Sequence, residues 1–265
     1  MSEHPVQTLR RLEQQARKRF GQNFLVRESA VKRIVQLCGA REGVKVLEIG
    51  PGLGALTRAL IDTGATLRAI ELDRDLAAHL RVELPELDLV EGDALRVDLS
   101  EVAPGTGWVC CANLPYNVST RILRRVLVDR RFDRLVLMFQ REVAERIVAG
   151  PGSKTYGSLS VLVAAHAQAR LALSLGPADF HPRPKIDSAV VVFELLDSGR
   201  PLDLEHFEKV VRAGFSQRRK VLANALGPAF GKDVARKALA ETVGTGRRAE
   251  SLGLEEWQAL AEALS

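Results

Sequence analysis

Cysteine is scarce, and nothing in the sequence has metal-ligand spacing. The 265-residue chain holds three cysteines, Cys38, Cys110 and Cys111. None belongs to a C-x-x-C pair, and no His/Cys cluster carries the spacing of a zinc site. Buried free thiols are the expectation, because free cysteine is among the most buried residue types, and no metal is implied. No apolar run approaches the ~20 residues that span a bilayer, so a membrane-spanning helix is excluded and no membrane partner is expected. The first twenty residues contain no apolar h-region, so no secretory signal is read there and the cytoplasm is the expected compartment. Internal repeats and low-complexity tracts are also missing. With 46% hydrophobic and 27% charged residues, the chain has the balance of an ordinary globular protein.

What is present is an uneven excess of positive charge. The formal net charge is +5. Residues 200–250 carry eleven Lys and Arg against six Asp and Glu. A second cluster, Arg10, Arg11, Arg17, Lys18 and Arg19, lies near the N-terminus. Such clusters form the electrostatic footprint of a polyanion partner, although a solvated helix face reads the same way.

The first half of the chain alternates strand and helix signals. Apolar strands are predicted over 45–49, 66–71, 88–91, 108–112 and 132–139. Amphipathic helices are predicted over 29–37, 56–63, 75–83, 119–129 and 141–149. This alternation predicts an α/β fold of Rossmann type, with a parallel sheet covered by helices on both faces. After the break at Gly150-Pro151-Gly152 come an apolar helix (159–166) and two β-rich runs (169–175 and 189–196). Between the two runs, residues 180–184, Phe-His-Pro-Arg-Pro, are incompatible with a regular helix or a central strand. Beyond a linker at Gly199-Arg200-Pro201, short helices broken at Gly227-Pro228, Gly231, Gly244 and Gly246 suggest a small helical domain. The expected organisation is a basic arm over 1–18, a catalytic domain over 19–200 and a helical domain over 201–265, with a monomer as the default state.

A glycine-rich turn, Glu48-Ile-Gly50-Pro-Gly52-Leu-Gly54-Ala55, follows the first strand of the alternating region and opens a helix. Glycines there let the backbone turn sharply and approach a ligand. The turn falls at the carboxyl edge of a parallel sheet, where doubly wound folds bind ligands. Glu71 ends the next strand, where a carboxylate accepts hydrogen bonds from both hydroxyls of a ribose. The same residues satisfy the loose dinucleotide fingerprint, so an NAD-dependent oxidoreductase remains one reading. Two features argue against it. Glu48 would face a pyrophosphate but suits a cationic ligand. Asp93, in Glu91-Gly92-Asp93-Ala94 after the third strand, is placed to accept from an adenine amino group; the competing reading of Asp93 is a helix cap, and that of Glu48 is a carboxylate bonded to backbone N–H groups.

The fourth strand ends in Asn113-Leu114-Pro115-Tyr116. The Asn113 side-chain oxygen and the Leu114 carbonyl are two acceptors suited to an exocyclic amine, which is a poor nucleophile until its lone pair is aimed. Pro115 stiffens the loop, and Tyr116 offers a flat face to a base. Tetrapeptides of this type mark amino-group methyltransferases. The form N-L-P-Y, with Gly21-Gln22-Asn23-Phe24-Leu25, the segment from Phe180 to Ser188 and the segment from Phe215 to Leu222, resembles the ribosomal RNA adenine dimethyltransferases, and among them the KsgA branch.

The resemblance implies S-adenosyl-L-methionine as cofactor and dimethylation of two adjacent adenosines near the 3′ end of small-subunit rRNA, with an immature small subunit as partner. It implies cofactor contacts from Asn23, Leu25, Gly50, Glu71, Asp93 and Asn113, with Gln22 close by; Glu48, Gly52, Gly54 and Ala94 complete the expected cofactor set. Phe180 would stack on the target base opposite Tyr116. Arg218, Arg219 and Lys220, expected on a helix after Phe215, would contact RNA phosphates. Methylation of large-subunit rRNA and a mainly RNA-binding assembly role are the neighbouring readings.

Overall fold

A computed structural model describes residues 23–196 and 203–265. The expected basic arm, Gln22 and the linker at 199–201 lie outside the described residues. Contacts divide the chain into two compact units, residues 23–144 with Arg170–Leu195, and Glu145–Ala169 with Leu196–Ser265.

The first unit is built on a seven-stranded sheet. Its strands are β2 (Lys45–Ile49), β3 (Thr66–Glu71), β4 (Asp88–Glu91), β5 (Trp108–Asn113), β6 (Phe132–Gln140), β7 (Ala167–Leu175) and β9 (Ser188–Leu195), in the order β4-β3-β2-β5-β6-β9-β7. The five strands of the alternating region pair in parallel. The later β-rich run over 189–196 joins the same sheet as β9, which runs antiparallel to β6; an antiparallel strand added to one side of a parallel sheet is a common arrangement. A separate two-stranded pair, β1 (Phe24–Leu25) with β8 (Phe180–His181), was not legible as strand from two-residue segments.

Helices α1 (Glu28–Cys38), α2 (Ala55–Ile61), α3 (Arg74–Glu83), α4 (Leu99–Val102), α5 (Ser119–Val128) and α6 (Arg141–Ile147) fill the connections. Side chains alternate across a strand, and both sets are buried. Val46, Val109, Cys111, Val136, Met138, Val190 and Val192 join the apolar face of α1 in one cluster. Leu47, Cys110, Leu135, Leu137 and Val191, on the other face, are fully buried as well. All three cysteines are free and buried, and burial raises the thiol pKa of Cys110. No helix among the described residues is long and apolar enough to cross a membrane.

The second unit is helical: α7 (Ser158–Ala164), α8 (Leu204–Phe215), α9 (Leu222–Phe230), α10 (Lys232–Glu241) and α11 (Leu254–Ala263). A single boundary near residue 200 is therefore corrected. Tyr156, Val161 and Ala165 pack with Phe207, Val210, Leu222 and Trp257, so the segment around α7 belongs with the C-terminal helices. The expected break at Gly227-Pro228 is also corrected. Both residues lie inside the last turns of α9, which closes through the Gly231 N–H on the Gly227 carbonyl at 2.9 Å.

Close packing here depends on one glycine. A Cβ at Gly214 would lie 2.5 Å from Cη2 of Trp257, whose ring is fully buried and stacked on Phe215 at 5.4 Å. Gly214→Ala is expected to destabilise the helical unit by about 1–3 kcal/mol, the usual cost of overpacking, seen as an earlier denaturant midpoint for the Trp257 fluorescence change in a Trp108→Phe background. An unchanged midpoint would show that the indole has room to shift.

Candidate active site

Parallel strands in register end together. Glu48 pairs with Ala69 on one side and Cys111 on the other, and Ile49 with Ile70 and Ala112. Glu48, Glu71 and Asn113 thus reach the same carboxyl edge of the sheet. A cavity opens there, lined by residues 23–25, the glycine loop, the end of β3 from Glu71 to Asp73, and residues 113–118.

The loop turns as its glycines allow. Gly50, Gly52 and Gly54 all have positive φ, and Gly54 is the N-cap of α2. At Gly52, with φ of 59°, a Cβ would meet the Phe24 ring at 3.0 Å. The Gly52 N–H donates to Glu71 Oε2 at 3.0 Å, and the Asp73 N–H donates to Glu71 Oε1 at 2.9 Å. Glu71 so ties the loop to the end of β3 while keeping lone pairs for a ligand. Burial raises its pKa, and the two backbone bonds oppose that shift.

Glu48 is less well provided for. It is 1% exposed, lines the cavity, and its Oε2 has no hydrogen-bond partner. The alternative of a carboxylate saturated by backbone N–H groups does not describe it. Burial pushes its pKa up to about 8; the nearby Thr57 hydroxyl lowers it and the Glu71 charge raises it further. A buried carboxylate oxygen without a partner is costly, and a cationic ligand group in the cavity would satisfy it.

On the opposite side, the Asn113 Nδ2 donates to the Asn23 carbonyl at 2.9 Å. This bond fixes the amide orientation and leaves Oδ1 as the available acceptor. Residues 115–118 close a turn through the Val118 N–H on the Pro115 carbonyl at 3.1 Å, and the Ser119 hydroxyl donates to the Tyr116 carbonyl at 3.1 Å. The Tyr116 ring is half-buried, with its hydroxyl 2.7 Å from Ser188 Oγ. Burial raises the phenol pKa and the Ser188 bond lowers it, so the ring is neutral at physiological pH.

Asn23, Leu25, Glu48, Gly50, Gly52, Glu71, Asn113, Leu114, Pro115 and Tyr116 are brought together at the cavity. Gln22 lies outside the described residues. Four other expected residues stand apart from the cavity lining. Gly54 shapes the loop without lining the cavity. Asp93 also lies off the lining; its Oδ1 accepts the Leu95 N–H at 2.9 Å and its Oδ2 faces Arg96 at 3.7 Å, which is the capping role. Ala94, beside it, is buried. Phe180 is 2% exposed and packs with Leu25 and Ile34, so its ring is core and is not presented to a base.

In the helical unit, the helix expected under Arg218, Arg219 and Lys220 is replaced by a turn. The Ser216 hydroxyl and N–H both bond the Ala213 carbonyl, at 2.7 and 3.1 Å, a local competition that ends α8 at Phe215. Arg218 is held by Glu250 at 3.2 Å and by the Lys154 carbonyl, whereas Arg219 and Lys220 are exposed. Sequence reasoning missed Leu72, which lines the cavity and is 51% exposed. Its only signal was an apolar residue directly after the strand-terminal Glu71. Among the described residues no group of His, Cys, Asp and Glu is arranged to hold a metal ion.

The Glu48 carboxyl gives a test of this geometry. Its folded pKa lies above its unfolded value, so its contribution is fully present below about pH 4.5 and is lost as pH rises through about 8. Glu48→Gln should therefore raise the ligand-free melting temperature progressively between pH 5 and 8, by roughly 5–10 °C at the upper end, from a linkage cost on the order of a few kcal/mol. A constant difference across that range would mean the carboxyl is solvated.

The ribosomal RNA adenine dimethylase family profile matches residues 13–265. The ribosomal RNA small subunit methyltransferase A of Syntrophotalea carbinolica is 45% identical over 252 residues, covering 93% of this chain and 96% of its own. The protein of that name from Geobacter sulfurreducens is 45% identical over 262 residues, covering 94% and 95%. Among solved structures, a dimethyladenosine transferase from Plasmodium falciparum superposes with a TM-score of 0.79 at 23% identity, over 89% of this chain and 95% of that one. The 23S rRNA methyltransferase ErmE superposes with a TM-score of 0.70 at 25% identity, over 91% and 99%. With a family profile spanning nearly its whole length and relatives this similar, the chain belongs to the ribosomal RNA adenine dimethylase family.

Proposed function

We propose that this protein dimethylates the N6 amines of two adjacent adenosines in the 3′-terminal hairpin of small-subunit rRNA, using S-adenosyl-L-methionine, on an immature small subunit in the cytoplasm. Family membership supports the reaction class, and the first relatives are named for the small subunit. The observation that carries the chemistry is the Asn113 amide, oriented by Asn23 so that an acceptor is left at the cavity.

The residues present fit the cofactor. The orphaned Glu48 oxygen suits its cationic end, Glu71 keeps acceptors for ribose hydroxyls, and Leu72 offers an apolar face. When bound, the cofactor supplies an electrophilic methyl group on a sulfonium. The remaining work falls to the protein. Asn113 Oδ1 and the Leu114 carbonyl accept the amine hydrogens and hold the nitrogen lone pair toward the methyl group. Tyr116 stacks on the extruded base with its hydroxyl occupied by Ser188, so it acts through its ring face and not as a base. After transfer the nitrogen is positively charged and acidic, so its proton leaves to solvent without a strong side-chain base; positioning carries the rate. The second transfer meets an amine with one hydrogen left, which needs one of the two acceptors. Arg219 and Lys220 supply sequence-independent phosphate contacts, and specificity comes from RNA shape around the flipped base. The protein acts as a monomer in this reading.

The test supplies labelled cofactor with immature small subunits, large subunits or naked rRNA in parallel. Label in two neighbouring small-subunit adenosines is expected; label confined to large-subunit RNA would overturn the target. Asn113→Ala should lower the single-turnover rate by about 100-fold or more while RNA affinity changes less than about twofold, because the lost contact acts in the transition state. Tyr116→Ala should cost about 1–3 kcal/mol of base stacking, with Tyr116→Phe retaining most of it. An unchanged single-turnover rate in Asn113→Ala would remove that residue from the chemistry.

A further inference from the structure

The loop between β8 and β9 is pinned at both ends and carries its unpartnered groups in the middle. At its near end, Phe180 pairs with Leu25. Just before it, the Asp179 carbonyl accepts the Val26 N–H at 2.9 Å and the Asp179 carboxylate faces Arg27 at 3.2 Å. At its far end, the Asp187 carbonyl accepts the Arg141 N–H at 2.9 Å. One residue on, the fully buried Ser188 is held 2.7 Å from the Tyr116 hydroxyl. Pro182 and Pro184 fix φ at two of the intervening positions. The loop therefore begins beside β1, whose residues line the cavity, and ends against the tyrosine that lines the same cavity.

Three side chains within this frame are exposed. Arg183 and Lys185 are exposed, and neither has an ion-pair or hydrogen-bond partner among the described residues. Ile186 is 42% exposed, one of few large apolar side chains so placed. The nearby Asp187 carboxylate is directed to Arg141 at 4.0 Å, so it leaves the two cations uncompensated. Two free cations next to an exposed aliphatic side chain match a ligand that offers phosphates beside flat apolar faces. That is the chemistry of a single-stranded nucleic acid. A solvated loop of the same composition would need neither the pinned ends nor the exposed isoleucine.

We propose that Arg183 and Lys185 grip the backbone phosphates next to the adenosine that enters the cavity, so the catalytic unit carries its own RNA contact surface. The inference rests on the RNA methyltransferase reading above. Because the loop is fixed to Tyr116 through Ser188, a phosphate held there is registered against the stacking ring as well as attracted. Ile186 lies against the face of a neighbouring base, where it replaces part of the stacking lost when the target is extruded.

The experiment compares Arg183→Ala/Lys185→Ala with the unaltered protein on immature small subunits across a salt series. Arg130→Ala is the control; it removes an exposed cation just before β6, at the amino edge of the sheet, away from the cavity. The double variant is expected to raise the KM for the particle by about tenfold and to change kcat less than about twofold. It should reduce the salt slope by about 0.7 per lost phosphate contact, with S-adenosyl-L-methionine affinity and melting temperature unchanged. Arg183→Lys/Lys185→Arg should recover most of the KM, and Arg130→Ala should leave it unaltered. If the double variant keeps the original KM and salt slope while the unaltered protein methylates the particle, the loop surface is not an RNA contact and the function stands. A fall in melting temperature or cofactor affinity would also overturn the inference by making the loop a structural support. Failure of the unaltered protein to methylate any RNA would instead overturn the function, and the inference with it.

Discussion

The parallel register of β2 with β3 and β5 is the constraint on which the site depends. In a parallel sheet, neighbouring strands run out at the same edge, so a carboxylate near the end of β2, another at the end of β3 and an amide at the end of β5 arrive together without any specific attraction between them. A slip of one residue would turn Glu48 to the opposite face and bring an apolar neighbour in its place. The apolar side chains that enforce the register, Val46, Val109 and Val136 on one face and Leu47, Cys110 and Leu135 on the other, are nearly all fully buried. Packing of the core and placement of the polar groups are thus one requirement met by the same alternation.

The two carboxylates so placed have different environments and different tasks. Glu71 accepts two backbone N–H groups and is compensated within the protein. Glu48 has a buried oxygen with no partner and a pKa near 8. The first ties the glycine loop to the end of β3. The second carries a cost that folding leaves in place and that a cationic ligand group would relieve.

The sheet, the glycine loop and N-L-P-Y were legible because each has a local signature: period-two apolar runs, glycines at strand ends, and a tetrapeptide with chemical meaning. Features that depend on distant partners were not. Whether Phe180 faces a base or the core is decided by its pairing with Leu25, about 155 residues away in sequence. That Asp93 caps a turn depends on where the Leu95 N–H lies. The segment around Tyr156 carries the same apolar pattern whether it packs on a sheet or on helices, and only the cluster with Trp257 assigns it to the second unit. Sequence patterns reported what each segment can do locally; contacts between remote segments selected among those options.

The Tyr116–Ser188 bond shows how such a remote contact acquires functional weight. A tyrosine that stacks a base gains little from a free hydroxyl and loses orientation if the ring can swing. Anchoring the hydroxyl to the first residue of β9 fixes the ring plane and removes a competing donor from the cavity. Because β9 pairs with β6, and β6 with β5, the anchor returns to the strand that carries Asn113. The groups proposed to orient the amine and to stack the base are therefore mounted on one continuous hydrogen-bonded frame. The antiparallel strand β9 is the element that closes this frame, and it gives the tetrapeptide a rigidity that its four residues alone do not provide.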